Sequence, residues 1–204
     1  MMEHAGLRRS RLIVHDYGVS VTQELLARQQ EGAPYTFESV VFLNGGLFPE
    51  AHRARPIQRV LGGRLGPLLN RMISYRRFAQ SLSAVFAPTT QPSEEELKEL
   101  WRIINHPHQS RQAHRLIAYM EERVRHRDRW VQALRTCPVP LRLINGLLDP
   151  VSGEHMVERF REVVDCEADV VPLPHIGHYP QLEDPAGCLE GIWSFTAGGY
   201  CSPP

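Results

Sequence analysis

Apolar and β-branched residues gather in four short stretches, at 12–14, 39–43, 141–145 and 168–173. Each stops abruptly on a turn residue or an acid, and runs with helical spacing lie between them. Val19 to Gln30 reads as one helix, with Val21, Leu25 and Leu26 on an apolar face, and Gly32-Ala-Pro34 ends it. Glu154 to Val164 reads as another, with Met156, Val157, Phe160, Val163 and Val164 turned inward, and Ala186 to Phe195 as a third, bringing Leu189, Ile192 and Trp193 to the core. Short strands separated by amphipathic helices predict an α/β chain built on a parallel sheet with helices on its faces.

The pattern changes over 49–137, where arginine is frequent and no convincing strand occurs. Its best helix starts at Ser93, where Ser-Glu-Glu-Glu96 follows Pro92 as a capping box and Leu97, Leu100, Trp101 and Ile104 recur on one side. A second helix carries Leu116, Ile117, Met120 and Val124 on one face. The expected organisation is a core part at 1–48, an inserted helical cap at 49–137 and a second core part at 138–204.

Three of the strand ends carry chemistry. Leu12-Ile-Val-His-Asp-Tyr-Gly18 stops on an acid, an aromatic residue and a glycine before a helix, the form of a nucleophile elbow with Asp16 in the nucleophile position. Leu141-Arg-Leu-Ile-Asn-Gly-Leu-Leu-Asp-Pro150 ends on Asp149, and His178 follows the run at 168–173. An acid, a second acid and a histidine beyond the C-terminal ends of parallel strands form a set able to make and hydrolyse a covalent ester. Each has a plain alternative: a strand-to-helix turn for Asp16, an Asx turn before Pro150 for Asp149, a helix-start histidine for His178. Asn44, ahead of Gly45 and Gly46, lines a pocket or serves as turn chemistry. Tyr75 and Tyr119 in the cap have a plain reading as packing tyrosines.

The strings His15-Asp-Tyr-Gly18, Asn44-Gly-Gly-Leu-Phe-Pro49, Gly146-Leu-Leu-Asp-Pro150 and His178-Tyr-Pro-Gln-Leu-Glu-Asp-Pro185 resemble α/β hydrolases of the epoxide hydrolase and haloalkane dehalogenase type, over about residues 12–195. The resemblance implies a partial α/β-hydrolase fold, comprising the C-terminal strands of the parallel sheet and a helical cap. It implies Asp16 as nucleophile, Asp149 as the acid that holds the base, His178 as the base, the Tyr17 amide as an oxyanion donor, and Asn44, Tyr75 and Tyr119 about the substrate. Dehalogenases of this group place a tryptophan after the nucleophile to hold halide, whereas Tyr17 stands here, which disfavours halide removal; the resemblance leaves epoxide opening, with Tyr75 or Tyr119 as the acid, and an ester or lipid substrate as the alternative. No cofactor is implied. The strands and oxyanion loop that precede the elbow in the family have no counterpart, so the chain reads as an N-terminally truncated product or a partial gene model. A catalytically silent fragment acting through protein or lipid interaction is the alternative. A strand at 12–14 would then lie at an uncovered sheet edge and invite self-association.

Composition narrows the partners. The formal net charge is zero over 204 residues, which argues against a nucleic-acid footprint, while the family resemblance implies a small hydrophobic or lipid-like substrate. No apolar run has membrane-spanning length. The family resemblance implies association with the endoplasmic reticulum, and without it a cytoplasmic location is expected. Cys137, Cys166, Cys188 and Cys201 form no metal or disulfide spacing, and no metal site is expected: His106, His108 and His114 lack a completing acid or thiol and read as a solvated loop. The basic run at 123–129 reads as an exposed helix face.

Overall fold

The computed structural model describes residues 4–56, 58, 73–106, 116–164 and 169–197. Four strands, β1 (Arg9–His15), β2 (Thr36–Leu43), β3 (Leu141–Gly146) and β4 (Asp169–Leu173), form one sheet in the order β1-β2-β3-β4, and every pairing is parallel. A parallel pair needs a crossover, and helices supply it. These are α1 (Tyr17–Gln30) between β1 and β2 and α6 (Glu154–Val164) between β3 and β4. Between β2 and β3 the described chain forms α2 (Tyr75–Ser83), α3 (Glu94–Ile104), α4 (Tyr119–Arg125) and α5 (Arg127–Arg135), and after β4 come α7 (Pro180–Glu183) and α8 (Pro185–Ala197).

The central strands β2 and β3 are buried on both faces because their side chains alternate. Val40, Phe42 and Leu143 point into the larger core with Val19 and Leu26 of α1, Val131 and Leu134 of α5, and Met156, Val157 and Phe160 of α6. Val41, Leu43, Ile144 and Leu173 point the other way, onto Ile176 and onto Cys188 and Phe195 of α8. The capping box forms as the sequence predicts: the Ser93 hydroxyl accepts from the Glu96 amide, and the Glu96 carboxylate accepts from the Ser93 amide.

Several expectations need correction. The helix α5 packs in the main core beside α1, so the chain rejoins the core before residue 137. Its Arg129 pairs with Glu24 and Glu31, and Arg127 with Glu50, which makes much of the basic run a set of ties to other elements. Leu189 and Trp193 of α8 are exposed; Cys188, Ile192 and Phe195 make the contact with the sheet. On α4 the expected apolar face is reversed. Leu116 before it and Val124 within it are exposed at 55% and 65%, while Tyr119 and Arg123 are buried at 7% and 2%. His108, His114, Cys166 and Cys201 lie outside the described residues. Among the described residues no helix is long and apolar enough to cross a membrane, and no group of three or more metal-ligating side chains forms.

Candidate active site

Because all four strands run the same way, their C-terminal ends share one edge, and four successive strand ends place Asp16, Asn44, Asp149 and His178 there. Asp16 is the one non-glycine with positive φ among the described residues, at φ 48°, ψ −109°. Such a conformation costs about 1 to 3 kcal/mol and persists only where neighbours fix it. Here they do: the Asp16 amide donates to the Asn44 carbonyl at 2.9 Å, and the Asp16 carbonyl accepts from the Val19 amide at 3.1 Å. Gly45 has to be glycine, since a Cβ there would lie 2.6 Å from the Val19 side chain and 3.0 Å from the Asp16 carbonyl oxygen. The Tyr17 amide opens α1, so it is among the helix donors with no acceptor inside the helix, at the positive end of its dipole.

Asp149 is buried behind His178. Its Oδ2 accepts from His178 Nδ1 at 2.7 Å, from Ser152 Oγ at 2.6 Å and from Asn44 Nδ2 at 3.0 Å, and its Oδ1 accepts from the Val151 amide at 2.8 Å. Burial pushes this carboxyl up, but His178, Ser152 and the Val151 amide together outweigh it and hold it down at about 2. Burial pushes His178 down, and the hydrogen bond and charge of Asp149, with the charge of Asp16, more than offset it, so the imidazole lies above its usual value. His178 Nε2 lies 3.9 Å from Asp16 Oδ1, close to but beyond direct hydrogen bonding. The sequence brings these three residues together as expected in space.

Asn44 has a different place from the one its sequence position predicts. It is fully buried, donating to Asp149 and to the Gly146 carbonyl and accepting from the Gly146 amide, so it joins β2 to β3 and holds the acid instead of facing a substrate. An amide offers a donor and an acceptor at once, which is what two adjacent parallel strand ends require. Tyr75 donates to Glu94 and packs on Trp101, with no electrostatic tie to Asp16. Tyr119 is buried, meets the Tyr17 ring edge-on at 5.1 Å, and has its phenol pushed up to about 12 by burial and the Asp16 charge.

Two residues that sequence reasoning missed position His178. His15 Nε2 donates to the His178 carbonyl at 2.8 Å, and burial with the nearby His178 charge lowers its pKa and favours the neutral ring. Glu183 accepts from the amides on both sides of His178, Gly177 and Tyr179, each at 2.9 Å, and also from the Ala87 amide and Thr90 hydroxyl. Its position five residues after His178 was the available signal. Glu183→Ala leaves those donors without their acceptor and is expected to cost about 2 to 4 kcal/mol of stability, measured by denaturant unfolding. A cleft of about 220 Å³ beside Glu183, lined by Phe86, Pro92, Leu100 and Leu182, contains none of the four strand-end residues.

Comparison with known proteins gives this geometry its context. The chain is 39% identical over 202 residues to the mesoderm-specific transcript homolog protein of Bos taurus, a match covering 96% of this chain and 60% of the relative. It is 39% identical over 184 residues to the putative hydrolase LipZ of Mycobacterium tuberculosis, covering 90% of this chain and 64% of that protein. The chain thus spans about three fifths of the length of these curated relatives. Among solved structures, the epoxide hydrolase CorEH matches with a TM-score of 0.72 at 16% identity, covering 96% of this chain and 70% of its own. The haloalkane dehalogenase DatA of Agrobacterium tumefaciens matches with a TM-score of 0.68 at 17% identity, over 97% and 70%. No family model matches. The fold seen here is part of the α/β-hydrolase fold, and the chain is a homologue of the mesoderm-specific transcript proteins and LipZ.

Proposed function

We propose that this chain carries the site of an epoxide-opening hydrolase that works through an alkyl ester on Asp16. The observation that supports it most is a carboxylate at the strained elbow position, with a histidine nitrogen 3.9 Å away that is itself backed by a buried acid. A carboxylate can displace an oxygen leaving group at saturated carbon, and dividing hydrolysis into two displacements lowers each barrier.

In the first step an Asp16 carboxylate oxygen attacks an epoxide carbon, the carbon–oxygen bond of the ring breaks, and the Tyr119 phenol protonates the departing oxygen. A phenol whose pKa is pushed up to about 12 is neutral and holds the proton it must give. In the second step His178 Nε2 takes a proton from water, the hydroxide attacks the ester carbonyl carbon, and the Tyr17 amide donates to the oxyanion. Collapse breaks the ester bond, the departing alkoxide takes the proton left on the attacking hydroxide and leaves as part of the diol, and the Asp16 carboxylate is restored; the imidazolium proton restores the phenol. Asp149 holds the imidazole with Nδ1 protonated and stabilises the cation.

The substrate is small and hydrophobic or lipid-like, in keeping with Tyr17, Tyr119 and Tyr179 around the carboxylate. Endoplasmic-reticulum association belongs to the same proposal and is read by cell fractionation. Styrene oxide hydrolysis tests the reaction. Asp16→Ala should abolish it, and Tyr119→Phe should slow ester formation by about 100-fold or more while leaving ester breakdown unchanged, followed by rapid-quench kinetics. Turnover surviving in Asp16→Ala would sink the covalent route. Absence of any turnover or adduct in the parent chain would favour an interaction role.

A further inference from the structure

The side chain of Arg123 is the least expected burial in the molecule. The α4 helix places it inward at 2% exposure while Val124, its neighbour, stands 65% exposed, a reversal of the ordinary hydrophobic pattern. Local rules broken in this way without a packing gain mark functional positions. Its Nε and Nη2 donate to the Ser20 hydroxyl at 3.1 and 2.8 Å, and its Cζ lies 4.9 Å from the centre of the Tyr119 ring. Neither partner is charged. Among the described residues no carboxylate comes within 4.0 Å of the guanidinium, so it has polar company and no paired carboxylate, and the Asp16 charge reaches it only from farther away. A buried charge without a directly paired opposite charge is unfavourable, and a ligand can supply that pair.

A second side chain meets it. Both ring nitrogens of His52 are buried without a hydrogen-bond partner. A Cβ on Gly46 would lie 1.9 Å from Arg123 Nη1 and 2.7 Å from His52 Nδ1, so both nitrogens crowd the same small volume beside the Asn44-Gly-Gly46 turn. The Asp16 charge acts on Arg123, His52 and Tyr119 alike, which puts this volume in the neighbourhood of the elbow. Burial and the Arg123 charge lower His52 to about 4, leaving a neutral ring with one N–H to donate.

We propose that Arg123 and His52, converging at Gly46 near Asp16, form a subsite for the carboxylate of an anionic substrate. A carboxylate has the charge Arg123 lacks and enough lone pairs to accept from both side chains. The substrate is then amphiphilic: an apolar body among the tyrosines, and a carboxylate within a few bonds of the carbon that Asp16 attacks. This rests on the epoxide-opening reading for the reacting carbon, but the anion subsite can be tested without chemistry.

The test compares two inert ligands of nearly the same shape, 3-phenylpropanoate and 3-phenylpropanamide, by titration calorimetry on the full chain at pH 7. The carboxylate is expected to bind about 10- to 100-fold more tightly than the amide, the range of a hydrogen bond to a charged group. Arg123→Met removes the charge and should erase the preference. Gly46→Ala keeps the arginine but forces its flexible end away from the turn, and should erase it too; thermal melting confirms which variants are folded. Equal affinity for the two ligands in the parent chain, or a preference that survives in either folded variant, overturns the subsite. Because neither ligand reacts, equal affinity in a parent chain that still turns over epoxide counts against the subsite alone. A retained preference without any ester on Asp16 counts against the reaction alone.

Discussion

Substitution of His178 by glutamine is expected to leave the first half of the reaction running and to stop the second. Ester formation needs Asp16 and a proton donor, neither of which His178 supplies, whereas ester hydrolysis needs a base at the Nε2 position, 3.9 Å from the carboxylate. Losing that base should lower steady-state turnover of styrene oxide by about 100- to 10,000-fold. The protein should then accumulate as an adduct one probe mass heavier, with the increment on the peptide that contains Asp16. Intact and peptide mass spectrometry read both. Lost turnover with no adduct would mean that His178 activates water directly against the substrate and that Asp16 is not alkylated.

Asp149→Asn is expected to damage both rate and stability. The asparagine cannot stabilise the imidazolium or fix the Nδ1–H form, and turnover should fall by about 1,000- to 10,000-fold. Stability follows from linkage. The Asp149 carboxyl is held at about 2 against an ordinary 3.8, so its contribution is present above about pH 4 and is lost as pH falls through 2. His178 is raised above 6.5, so its contribution is present below that value and lost as pH rises through the folded-state pKa. The pair therefore stabilises most between about pH 4 and 6.5. Denaturant unfolding from pH 2 to 9 should show a maximum in that window, and Asp149→Asn should flatten both limbs and cost about 2 kcal/mol at pH 5. The hydrolytic step needs neutral His178, so its rate should rise with pH through the same raised value at which the stability declines. A flat stability profile in the parent chain would show that the ion pair does not form.

The residues at the ends of strands were legible because the signal is local. A β-branched run that stops on Asp16, and another that stops near Asp149, state their own strand ends, and parallel topology then puts those ends on one edge. The α6 helix was legible to the residue because its apolar period is uninterrupted. What stayed hidden depends on distant partners. Asn44 before two glycines reads as a turn, and only the approach of β3 turns its amide into a clamp on Asp149. Tyr75 and Tyr119 look alike in sequence, and the packing of α2 and α4 separates them: one meets Glu94, the other the elbow. Periodicity assigned the wrong face of α4, because Tyr119 turns inward onto Tyr17 and Arg123 onto Ser20 while Val124 stays outside, against the rule that apolar residues point inward. Glu183 and His15 act through main-chain groups of the His178 loop, and only the spacing of Glu183 from His178 hints at this in the sequence.

The central claim is that Asp16 is covalently alkylated and released by attack at its own carbonyl carbon. Single turnover of styrene oxide by excess enzyme in heavy-oxygen water tests it directly, because the water oxygen then remains in the enzyme while the diol leaves with an oxygen that came from Asp16. The expected result is a mass increase of one oxygen label on the peptide containing Asp16 and an unlabelled first-turnover diol. Label in the first-turnover diol, with none in Asp16, would contradict the account and place water at the substrate carbon instead.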